Sequence, residues 1–112
     1  MTVTAERVDV AVAREVWRAG DTVIDVRRPE EYASGHISGA VNVPLDSLVA
    51  REKSLPPGQV LVVCSLGGRS WRGAQLLALK GRDALCLDGG TKAWQAAGLP
   101  ITRGAGAGHA RR

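Results

Sequence analysis

Residues 60–81 read VLVVCSLGGRSWRGAQLLALKG, and the order of residue types in this stretch decides the fold. Val60 to Val63 form an apolar run with no polar face, which predicts a short strand buried on both sides. CSLGGRS (64–70) follows as a loop carrying two glycines. From Ser70 to Lys80, Ala74, Leu77 and Ala78 recur at helical spacing, so a helix is expected there, with Gly81 at a left-handed cap. Cys64 stands where the strand hands over to the loop. In an open parallel sheet, ligands bind beyond the carboxyl ends of the strands, so this thiol falls on the functional edge.

Working outward, the same alternation repeats. Asp9 can cap a helix running to about Ala19, with Gly20 as its stop. TVIDV (22–26) reads as a strand, and Pro29 suits the first turn of a short helix ending near Ser34. Gly35 and Gly39 flank a tight connection. Ala40 to Val43 reads as a strand halted by Pro44, and a helix of about two turns is expected from Asp46. LPPG (55–58) is a loop. Downstream, ALCL (84–87) is a further strand, DGG a turn, and TKAWQAAG (91–98) the last helix. Strand–helix alternation implies an α/β fold with a parallel sheet and helices on both faces.

Composition narrows the function. The 112 residues suggest one domain, long enough to bury a core without disulfides. No apolar run approaches the length of about 18 residues that a membrane helix needs. The opening MTVTAERVDVAVAREVW carries Glu6, Asp9 and Glu15 and does not read as a secretory signal, so a cytoplasmic location is expected. The net charge of +4 comes mainly from Arg103, Arg111 and Arg112 near the end; the other 12 basic residues face 11 acidic ones. No basic run is interleaved with aromatics, so neither nucleic acid nor a membrane is expected as a partner. The Gly/Ala-rich segment 104–112 is expected to be a disordered tail. Cys64 and Cys86, with His36 and His109, lack zinc-ligand spacing, and no metal is expected.

The chemistry converges on Cys64. Gly67 and Gly68 can adopt angles closed to other residues, letting successive amides turn inward as an anion-binding nest. A helix starting near Ser70 adds free N–H donors and a positive dipole end. Arg69 adds a fixed charge suited to oxyanions. Such surroundings lower a thiol from its usual pKa near ~8.5, and the thiolate is the nucleophile. Cys86, inside an apolar strand, reads as a small core residue. Trp17 and Trp94 fall on apolar helix faces and read as core, and Trp71 reads as packing beside the loop. Asp25 and Arg27, at the end of a buried strand, are expected to pair with each other or with backbone groups.

With these residues in view, the chain resembles the rhodanese homology domain over residues 6–103. IDVRRPEEYASGHISGAVNVP (24–44) is similar to its first signature, VVCSLGGRS (62–70) to its active-site loop, and LDGGTKAWQAAGLP (87–100) to its closing signature. The resemblance implies a three-layer α/β/α fold with a central, mostly parallel sheet of about five strands. It implies a sulfurtransferase without a cofactor, in which Cys64 takes the outer sulfur of thiosulfate or a related persulfide donor and passes it to a thiol, cyanide or a protein acceptor. Ser65, Leu66, Gly67, Gly68, Arg69 and Ser70 would bind the anionic donor around an open concavity above Cys64. His36 matches a structural signature rather than a catalytic position. Gly73 stands where that family commonly has a larger residue. Only four residues separate Cys64 from Arg69, where related phosphatases and arsenate reductases have five, which disfavours those reactions. A non-catalytic or weakly catalytic protein-interaction or sulfur-relay module is the alternative.

Overall fold

The computed structural model describes residues 5–108. In chain order the elements are β1 (Ala5–Val8), α1 (Val10–Arg18), β2 (Thr22–Asp25), α2 (Pro29–Ser34), β3 (His36–Ile37), β4 (Val41–Asn42), α3 (Leu48–Arg51), β5 (Val60–Val63), α4 (Gly68–Leu79), β6 (Ala84–Leu87), α5 (Gly90–Ala96) and β7 (Ile101–Thr102). Five strands form one sheet in the order β1-β6-β5-β2-β4, with every pair parallel. β3 and β7 make a separate two-stranded antiparallel ribbon. No helix among the described residues is long and apolar enough to cross a membrane.

Strand alternation explains the layers. Val60, Val62 and Cys86 of β5 and β6, with Cys64 just past β5, pack with Leu48, Ala74 and Leu77 from α3 and α4. Leu61, Val63, Leu85 and Leu87 face the other way, onto Ala13, Trp17 and Trp94 of α1 and α5. All four residues of β5 are fully buried. Each such aliphatic side chain contributes roughly 1.5–3 kcal/mol through removal from water. Asp9 caps α1 as expected, its carboxylate accepting from the Val12 amide at 3.0 Å. The ring nitrogen of Trp17 donates to the Ser38 carbonyl, and its edge meets Trp94.

The structure departs from the sequence reading in several places. α4 starts at Gly68, not Ser70, so Gly68 and Arg69 belong to its first turn. Gly68 therefore needs no special backbone angle; a side chain there would meet open space. The helix expected from Asp46 is divided into 3-10 turns at Leu45–Ser47 and Glu52–Ser54 around a single turn of α3. β1 and the β3–β7 ribbon were not expected. β1 is an edge strand whose Glu6 and Arg7 are exposed, and the ribbon strands are two residues long, so neither makes an apolar pattern. A Cβ at Gly73 would come within 3.2 Å of Leu48 and 3.3 Å of Val62. The helix-propensity cost of up to ~1 kcal/mol is thus set against close packing of α4 on β5. In segment 104–108, the Gly104 amide donates to the Ala33 carbonyl and the Ala107 carbonyl accepts from Gly39. The expected tail's remaining residues, 109–112, lie outside the described residues.

Candidate active site

The carboxyl ends of β2, β5 and β6 meet at one edge of the sheet, and β5 delivers Cys64 there. The chain then turns through Ser65 and Leu66 to Gly67, whose φ of +123° is closed to side-chain-bearing residues. This turn aims the Gly67 amide at the Cys64 sulfur, 3.0 Å away. Ser70, fully buried in the first turn of α4, places its Oγ 3.4 Å from the same sulfur. Burial alone pushes the Cys64 thiol up. The Ser70 hydroxyl and the amides of Ser70, Gly67 and Leu66 outweigh burial and leave the pKa below that of an ordinary thiol. The dipole of the twelve-residue α4 acts in the same direction.

α5 braces this loop from the other side. Its Thr91 amide donates to the Cys64 carbonyl at 2.7 Å, and Lys92 donates to that of Ser65 at 3.2 Å. The approach is so close that a Cβ on Gly90 would lie 2.5 Å from both carbonyl oxygens. The DGG turn is therefore part of the site's framework.

Arg69 reaches across to α2. It grips Glu31 of α2 through two bonds of 2.7 and 3.0 Å, with Ser65 Oγ 3.3 Å from its Nη2. The Arg69 guanidinium holds the Glu31 carboxyl down at about 2, helped by the Arg28 amide against partial burial. Leu66, by contrast, is 67% exposed and turned to solvent. Of the six residues expected around a donor, Gly67 and Ser70 thus contact the sulfur directly. Leu66 faces it only through its amide, while Ser65 and Arg69 face Glu31. Gly68 opens the helix.

Comparison with known proteins places this arrangement. A family profile described as the rhodanese-like domain matches residues 9–97. The chain belongs to the rhodanese-like domain family. A thiosulfate sulfurtransferase of Arabidopsis thaliana chloroplasts is 36% identical over 107 residues, covering 83% of this chain and 89% of that protein. An HTH-type transcriptional regulator of Mycobacterium tuberculosis is 36% identical over 91 residues, but this chain spans only 40% of its length. The crystal structure of a rhodanese-related protein from Thermoplasma volcanium superposes with a TM-score of 0.80 at 28% identity, covering 87% of this chain and 97% of that one.

Other residues near these signatures pair or pack within the protein. Arg27 and Asp25 form a buried ion pair at 2.8 Å, and Arg27 also donates to the Gly35 carbonyl. His36 is fully buried, stacked on Tyr32 and bonded through Nδ1 to the Tyr32 carbonyl. Trp94 is fully buried, and Trp71 lies under the Arg7 guanidinium at 4.3 Å. Cys64 itself is 1% exposed, so its sulfur sits in an enclosed cup rather than the open concavity expected. Beside the loop, a groove of about 840 Å³ is lined by Arg28, Arg69, Arg72 and Asp46 among apolar residues. Sequence reasoning missed Glu31 as the partner of Arg69, because the two stand 38 positions apart. It also missed how near Cys86 lies to the site, because strand order is not legible in residue spacing.

Proposed function

We propose that this chain is a sulfurtransferase that carries sulfane sulfur on Cys64. The observation behind this reading is the Cys64 sulfur held by a loop amide and the Ser70 hydroxyl at the carboxyl end of β5. Both groups stabilise a thiolate, the form that attacks sulfur. Thiolate attack on the outer sulfur of thiosulfate breaks its S–S bond, leaves a Cys64 persulfide anion and releases sulfite. Cyanide or an acceptor thiolate then attacks the outer persulfide sulfur and restores the Cys64 thiolate. The inward amides that hold the thiolate would also stabilise the persulfide anion. With Arg69 paired to Glu31 at the rim, Arg28 and Arg72 still outnumber Asp46 in the adjoining groove, which favours an anionic donor.

The enclosure of Cys64 favours a second reading, in which the domain serves as an interaction or sulfur-relay module with slow turnover on free thiosulfate. Cyanide-dependent thiocyanate release from thiosulfate separates the two. A sulfurtransferase turns over and Cys64→Ser falls to the rate without enzyme. Equal rates for wild type and Cys64→Ser contradict the assignment.

A further inference from the structure

Cys86 lies in the strand next to β5 and is fully buried on the same sheet face as Cys64. Its sulfur is 3.1 Å from Ser70 Oγ, the oxygen that also stands 3.4 Å from the Cys64 sulfur. One hydroxyl thus bridges two thiols. That hydroxyl has a single proton and three possible acceptors: the two sulfurs and the Gly67 carbonyl at 3.2 Å. Where the proton goes depends on what Cys86 does.

Resting on the reading of Cys64 as the working thiolate, we propose that Cys86 is a positioning residue, its S–H donating to Ser70 Oγ so that the Ser70 proton is directed to the Cys64 sulfur. The order of donation is Cys86 S–H to Ser70 O–H to Cys64 thiolate. A hydrogen bond to a charged acceptor is stronger than one to a neutral carbonyl, which favours this order once Cys64 is ionised. A chain of donors also polarises each member. Cys86 is suited to remain a thiol. Burial raises it above an ordinary cysteine, and the Cys64 charge adds to the rise against the Ser70 hydrogen bond. The nearby charges act separately: Arg7 and Asp88 on Cys86, and Arg69, held by Glu31, on Cys64. The alternative Cys86 donation, to the Gly67 carbonyl, is the longer contact at 3.6 Å.

The pH dependence of Cys64 alkylation by iodoacetamide, resolved from Cys86 by peptide mass spectrometry, tests this without requiring sulfur transfer. In Cys86→Ala the thiolate fraction of Cys64 at a fixed pH below its midpoint should fall roughly threefold, the effect of losing part of one hydrogen bond. Cys86→Ser keeps a donor of similar size and should restore the wild-type profile. In a Ser70→Ala background, Cys86→Ala should shift nothing further, because the bridge is already gone. An unmoved profile in Cys86→Ala overturns the proposal. So does a Cys86→Ser shift as large as that of Ala, or a Cys86→Ala shift that persists undiminished without Ser70. A shifted profile in a protein that never forms a persulfide would sink the sulfurtransferase reading and leave this one standing.

Discussion

Cys64 and Cys86 sit on adjacent strands, on one face of the sheet, both buried and both beside Ser70 Oγ. Their acidities nevertheless move in opposite directions, Cys64 down and Cys86 up. Burial raises both. Cys64 stands past the end of its strand, where loop amides are free to turn toward it, whereas the backbone at Cys86 is committed to the sheet. Two cysteines in nearly the same apolar layer thus differ in whether the ladder or the side chain receives the neighbouring N–H groups, and in the Cys64 charge that bears on Cys86. The Ser70 amide, in the first turn of α4, joins those of Leu66 and Gly67 in serving the sulfur.

The largest expected effect comes from disturbing the brace that keeps the loop in this shape. Gly90→Ala drives a methyl group into the Cys64 and Ser65 carbonyls, at a backbone angle of +60°. It should destabilise the domain by about 2–4 kcal/mol, read from chemical denaturation. In the surviving folded protein, the Cys64 midpoint should move toward that of Cys86. An unchanged stability would mean that α5 does not hold the loop.

A smaller effect isolates the rim. Glu31 is held near 2 in the folded state against an ordinary 4.5. Its contribution to stability is therefore present above the ordinary value and lost as pH falls from 4.5 toward 2. Because the Arg69 pair is partly exposed, that contribution should stay within about 1 kcal/mol. Glu31→Gln should flatten this part of the stability–pH curve while leaving the order of the two cysteines unchanged. A curve as steep as wild type's would remove Glu31 from the account.

What the sequence revealed follows from how local each feature is. The strand VLVV, the Gly67 turn and the helix behind it lie within twenty residues, so Cys64 could be placed at the functional edge from spacing alone. The sheet and its helices on both faces followed from the alternation of apolar runs. The pairing of Arg69 with Glu31 and the bridge from Cys86 to Ser70 depend on which strands become neighbours, and residue spacing does not encode that. β1 escaped notice because an edge strand needs no apolar run. Enclosure of the sulfur was equally hidden, since it arises from how α4 and the loop close over the end of β5.

The most direct test asks which of the two thiols takes up sulfur. After treatment with thiosulfate, cleavage at Arg69 and Arg82 separates the two cysteines into different peptides for mass spectrometry. The account predicts an added sulfur atom, about 32 Da, on the Cys64 peptide and none on that of Cys86. An adduct on Cys86 alone, or on neither thiol, would contradict it.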